Sequence, residues 1–177
     1  MIVKILQQSI RFILLVLLQV VVLNHIQWSG YVNPYVYILF ILLLPVETPK
    51  WALLTSGFLI GIAIDMFGNT GGLHAAATVA LAFARPGVLS LLAPRDGYEP
   101  EMRLAPQSLG LKWFVTYLVL LTLIHHLVLF YLEVFRFSEF FLTFFKVILN
   151  VIISVLLMLM GQYLFGRAAK RNERILG

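Results

Sequence analysis

Residues 57–77 read GFLIGIAIDMFGNTGGLHAAA, and the fold of the whole chain turns on how this stretch is read. It holds a helix with small residues on one side, Gly57 and Gly61, which leads to a lone carboxylate, Asp65. A glycine-rich turn follows, Gly68-Asn69-Thr70-Gly71-Gly72, and a second helix opens with His74 and three alanines. At about 100° per residue, Gly57, Gly61, Asp65 and Gly68 fall within an arc of roughly 80°. Small residues on one face let two helix backbones approach closely, which is how helices associate in lipid. The stretch therefore predicts a packing seam of Gly57, Gly61 and Gly68 between two antiparallel helices. A carboxylate beside such a seam is costly in hydrocarbon and must face protein or a wet cavity.

Composition sets the same stretch in a membrane. The chain has 177 residues, of which 61% are hydrophobic and only 12% charged, and a mean hydropathy of +0.96. Soluble domains carry about a quarter charged residues, so this chain cannot cover a water-facing surface. The prediction is one integral membrane domain over 1–177, with no second, soluble domain. Cysteine is absent, which excludes disulfides and thiolate metal sites. The net charge of +5 is read as topology-setting charge at helix ends rather than as a nucleic-acid surface.

Working outward from residues 57–77, the hydrophobic pattern predicts an all-α, polytopic helical bundle of six spans. These lie at about 9–26, 32–46, 51–67, 73–92, 113–131 and 141–165. The first is read as an uncleaved span, because Asn24 to Trp28 offers no small-x-small cleavage pattern. Its Gln19 would seek a partner inside the bundle or bond to its neighbours. The second is short of the ~20 residues that a helix needs to cross. Pro34 marks its entry and Pro45 and Pro49 its exit, and Tyr31, Tyr35 and Tyr37 read as an interfacial belt. This segment either spans thinly or is re-entrant.

In the fourth span Arg85 is placed to snorkel to the interface. Pro86 is expected to kink or end the helix, leaving residues 87–93 along the membrane surface. Residues 94–112 form the one substantial polar loop. In the sixth span Thr143, Asn150, Ser154 and Gly161 make a polar and small face directed into the bundle.

With six spans, both termini share a side. That side holds Lys4, Arg11, Lys50, Arg85, Arg95, Arg103, Lys112, Arg167, Lys170, Arg171 and Arg174, and the other holds only Arg136 and Lys146. The basic side is cytoplasmic by the positive-inside rule. A five-span chain would place Lys4 and Arg11 outside. The basic rim, with Arg95, Arg103 and the Lys170-Arg171 tail, offers a surface to anionic lipid or to a cytoplasmic partner.

In this topology Asp65, His74, His125, His126 and Glu133 all fall in the outer half. These are residue types that bind zinc. However, His125 and His126 are adjacent, so their side chains leave a helix about 100° apart and do not converge as i, i+4 ligands do. The reading is structural. One histidine pairs with Asp65 inside the bundle, and the other meets lipid headgroups or a partner helix. Asn150 and Ser154 join these residues as buried polar candidates. No metal, cofactor or catalytic constellation is predicted, and the chain is not read as an enzyme.

The order Pro45, then Gly57-Phe58-x-x-Gly61-x-x-x-Asp65, a glycine turn, and Gly72-x-His74-Ala75 opening a helix resembles the bacterial rod shape-determining MreD family. The small size, six hydrophobic segments, large loop between spans four and five and short basic tail are similar too. The resemblance implies a non-catalytic scaffold in the bacterial inner membrane, needed for rod shape and lateral peptidoglycan synthesis. It implies an MreC-like direct partner. It also implies indirect links to an MreB-like filament, a RodA-type polymerase and a penicillin-binding transpeptidase, and no nucleic-acid partner. The layout is also similar to the substrate-binding membrane subunits of energy-coupling-factor vitamin transporters, which would carry a ligand pocket opening to the outer face. The short outer connections, at 27–31, 68–72 and 134–138, favour the scaffold, because a pocket needs loops to close it.

Overall fold

The computed structural model describes residues 2–26, 32–99, 102–135 and 139–176. The described chain is helical without β-strands, and five of its helices are long and apolar enough to cross a membrane. The first begins as α1 (Ile2–Leu17) and continues through a π-helical turn at Leu18–Val22 and a 3-10 turn at Leu23–His25. A four-residue α2 (Leu39–Leu42) follows. Then come α3 (Lys50–Gly68), α4 (Leu73–Leu91), the short α5 (Pro106–Leu109), α6 (Leu111–Val134) and α7 (Phe140–Leu176).

The difference from the sequence reading lies in the second predicted span. Between residues 32 and 46 only Leu39–Leu42 is α-helical. The rest is extended or turned, and residues 35–42 are all buried. Pro34 holds the residue before it out of the helical region, and Pro45 cannot extend a helical ladder. The interval between them is too short for a spanning helix. The segment is a strap threaded through the bundle. Tyr35 and Tyr37 are therefore core residues, not an interfacial belt. Tyr31 and the 27–31 connection lie outside the described residues.

Side-chain contacts fix the direction of the strap. Gln19 meets it at Pro34, Val36 and Tyr37, and the earlier Arg11 meets it at Leu43. The Phe12 and Phe40 rings pack edge to face, with centroids 5.3 Å apart. The strap is thus antiparallel to α1. It starts beside His74, at the first turn of α4, and leaves beside Arg85, near the end of α4. Accordingly α1, α3 and α6 run from the Arg85 end of the bundle to the Asp65 end. The strap, α4 and α7 run back.

Pro86 does not end α4, which continues through it to Leu91. Residues 87–91 therefore belong to the spanning helix and not to a surface segment. A proline inside a membrane helix is tolerated where neighbouring groups satisfy the freed backbone. Arg85 does not snorkel: it is only 1% exposed, turned into the bundle against the strap. In α7, Thr143, Asn150 and Ser154 are buried, as a polar face directed inward requires. Gly161 lies apart from them, because a methyl group there would meet nothing within 4 Å. Tyr98 of the 94–112 loop donates to the Leu89 carbonyl (2.7 Å), and the indole of Trp113, in the first turn of α6, donates to the Leu92 carbonyl (2.6 Å). Residues 100–101, the 136–138 link and the basic side chains of the tail lie outside the described residues.

Candidate functional site: a polar interior around the strap

The joint between α3 and α4 is built from the residues quoted first. At Gly57 an added Cβ would lie 3.0 Å from the Thr78 carbonyl oxygen and 3.1 Å from Ala82 Cβ. At Gly61 it would overlap the Thr78 hydroxyl and the backbone of Ala75. Both glycines therefore sit against α4. Gly68 does not belong to this close approach, since a Cβ there would touch only the Thr70 side chain at ordinary distance. Asn69, Gly71 and Gly72 all have positive φ, at 53°, 61° and 95°, which turns the chain sharply between the helices.

Asp65 then closes the joint. Its Oδ1 accepts from the Thr70 hydroxyl (2.5 Å) and the His74 amide (3.0 Å), and its Oδ2 from the Ala75 amide (2.8 Å). The first turn of a helix leaves amides without intrahelical partners. Here Gly72, at the cap position, has no side chain to satisfy them. A carboxylate from the preceding helix takes that role, in a place where the helix dipole also favours negative charge. Asp65 pairs with no histidine ring of α6: its three partners all come from 70–75.

His125 and His126 both point into the bundle and are fully buried. Neither meets lipid. Their Nδ1 atoms are 3.3 Å apart. The ~100° between adjacent helical positions still lets both rings reach one interior, because His125 turns toward the strap and His126 toward α7. His125 Nε2 is 2.8 Å from the Tyr37 hydroxyl, which is 3.0 Å from His74 Nδ1. His126 Nδ1 is 2.9 Å from the Thr122 carbonyl and its Nε2 is 3.3 Å from Ser154 Oγ.

Donors and acceptors along this chain match with one proton on each ring. The Thr122 carbonyl can only accept, so His126 Nδ1 donates and its Nε2 accepts from Ser154. His125 Nδ1 then shares that one His126 N–H with the Thr122 carbonyl, His125 Nε2 donates to Tyr37, and Tyr37 donates to His74. Tyr35 lies across the cluster, edge to face with His74 and His126 at centroid distances of 5.1 and 5.5 Å. Among the described residues no three His, Asp or Glu side chains gather as a metal site would need.

The polar side chains of the other helices share one task. A strap without regular structure leaves amides and carbonyls that lipid cannot satisfy. Gln19 accepts from Val36 N (2.9 Å) and Tyr37 N (3.4 Å) and donates to the Pro34 carbonyl (3.0 Å) and to Asn24 Oδ1 (3.0 Å). The π turn that carries Gln19 is a local widening of the kind often found at specialised sites. Asn150 Oδ1 accepts from Asn33 N (2.6 Å), and Ser154 Oγ from Tyr35 N (2.9 Å). At the other end the Tyr117 hydroxyl donates to the Leu42 carbonyl (2.9 Å). Arg85 donates to the carbonyls of Leu44 and Pro45 and to the Tyr117 hydroxyl. Sequence reasoning missed Arg85, Tyr117, Tyr35 and Tyr37 as parts of this interior. The available signal was a weak span flanked by prolines beside an arginine inside a hydrophobic helix.

The chain matches no protein-family model, no curated protein and no solved structure.

Proposed function

We propose that this protein is a non-catalytic scaffold of the bacterial inner membrane that serves cell-wall elongation by binding an MreC-like partner. The observation that carries the reading is the use made of the residues in the MreD-like pattern. Gly57, Gly61, Asp65, Gly72, His74 and Ala75 build one rigid joint, and Pro45 anchors the strap to Arg85. Apart from the buried Thr122 hydroxyl, the interior polar side chains described above hold the chain to itself. Binding then falls to the helix faces in the bilayer and to the rims. The orientation that goes with this reading places both termini and the 94–112 loop in the cytoplasm, from the excess of Lys and Arg at that end.

The test is co-purification. In mild detergent the tagged protein should retain a co-expressed MreC-like protein. Loss of that protein under conditions where the bundle stays folded contradicts the proposal. Specific retention of a vitamin instead would favour the energy-coupling-factor subunit.

A further inference from the structure

We infer that His74 is a proton-responsive switch: a proton gained by its ring reorders the hydrogen-bond chain through Tyr37 and His125 as far as the Thr122 hydroxyl. His125 Nε2 donates to the Tyr37 hydroxyl (2.8 Å), which donates to His74 Nδ1 (3.0 Å). Tyr37 and His125 are fully buried, whereas His74, in the first turn of α4, keeps 5% of its surface exposed. His74 is bonded through Nδ1, its amide and its carbonyl, and its Nε2 has no partner among the described residues. At the far end of the chain Thr122 lies one turn before His125 on α6. Its hydroxyl is the one buried side-chain polar atom without a partner among the described residues. Such an orphan is uncommon in a folded interior and calls for a reason.

Nδ1 holds the one available lone pair of the neutral His74 ring. A proton taken there from water makes Nδ1 a donor, so the Tyr37 hydroxyl can no longer donate to it. The Tyr37 O–H then needs His125 Nε2 as its acceptor, which requires the His125 proton to sit on Nδ1. The net uptake is one proton, at His74; His125 only exchanges one neutral tautomer for the other. The new Nδ1–H of His125 faces the Nδ1–H of His126 across 3.3 Å and must find another acceptor. Side chains three residues apart are neighbours on a helix, which offers it the Thr122 hydroxyl. That hydroxyl is idle in one state and used in the other. His126 keeps the Thr122 carbonyl and Ser154 in both.

The added charge stays at His74, beside a negative partner. Asp65 of α3 accepts from the His74 amide (3.0 Å), and its other described partners, the Thr70 hydroxyl and the Ala75 amide, are neutral. A buried charge is tolerated when it is paired. Asp65 also offsets the positive end of the α4 dipole, which opposes a cation there. The remaining titratable groups around His74 are Tyr35 and Tyr37 of the strap and His125 of α6, with His126 next in line. At the same end of the bundle the first span carries the exposed His25, α6 the exposed Glu133 and α7 the half-buried Lys146.

The experiment uses the full chain in lipid nanodiscs, with isotopically labelled imidazole nitrogens. NMR reads the charge and tautomer of each histidine against pH, the signals being assigned from single His→Gln variants. His74 should gain charge while His125 passes from the Nε2–H to the Nδ1–H tautomer over the same pH interval. Thr122→Val removes the hydroxyl with little change of shape. It should leave thermal unfolding at high pH unchanged, because the hydroxyl has no partner in that state. It should weaken proton binding at His74 about tenfold, since the switched chain then strands a buried N–H. His25→Gln, which removes an exposed histidine at the same end, should leave the His74 titration as it is. A His125 tautomer that stays fixed while His74 titrates overturns the switch. So does a His74 titration that is the same in the wild type and Thr122→Val, or a chain that unfolds before His74 takes up a proton. A loss of stability in Thr122→Val at high pH would show that the hydroxyl already has a partner, and overturns it too.

Discussion

Asp65 at the end of α3 holds the first turn of α4 through Ala75, whose amide donates to Oδ2 at 2.8 Å. The carboxylate thereby does for α4 what a cap residue on that helix would otherwise do. Asp65→Asn keeps one acceptor oxygen for Thr70 and His74 but sets an amide against Ala75 N–H. Asp65→Leu orphans all three donors. The leucine variant should lose about 1–3 kcal/mol more than the asparagine variant, as unmet buried donors do. Thermal unfolding in detergent measures the difference, and equal loss in both would point to a role for the charge itself.

The seam gives a sharper contrast. Gly61→Ala drives a methyl into the backbone of Ala75 and should cost about 1–3 kcal/mol, the overpacking range. Gly161→Ala has open space around it and should be neutral or slightly stabilising, because alanine favours a helix over glycine. Equal unfolding temperatures for the two variants would remove the seam from the account.

Gln19 uses both ends of its amide on the strap. Gln19→Leu preserves the hydrophobic surface of α1 but leaves the Val36 amide and the Pro34 carbonyl without partners. A loss of about 2 kcal/mol or more is expected. Gln19→Leu at wild-type stability would mean that water or another side chain serves these groups.

The strap returns the chain across the bundle, which single cysteines can test because the protein has none of its own. Glu47→Cys and Gln107→Cys should react from one side of the membrane and Glu133→Cys from the other. Labelling of Glu47→Cys together with Glu133→Cys, both from outside intact cells, would mean that the strap turns back before crossing.

Much of the α3–α4 joint was legible because its signals are local. Glycines one turn apart, a carboxylate at a helix end and positive-φ residues in the turn lie within residues 57–75. The strap was not legible, because the groups that make it tolerable come from far along the chain. Asn33 is satisfied by Asn150, Tyr35 by Ser154 and Leu42 by Tyr117. Seen alone, residues 32–46 are an apolar run with prolines at its ends, and hydropathy cannot tell a short helix from an extended strap. For the same reason Arg85 read as a residue that reaches for the interface. Its real partners are carbonyls that exist only because the strap is irregular. Adjacent histidines were expected to diverge, and they do, but toward two parts of one interior.

Depletion of the protein in a rod-shaped host tests the scaffold directly, with cell width followed by microscopy alongside vitamin uptake. Cells should round while growth continues, and lateral incorporation of wall precursors should fall. Depleted cells that keep their rod shape but lose uptake of a vitamin would contradict the scaffold and favour a transporter subunit.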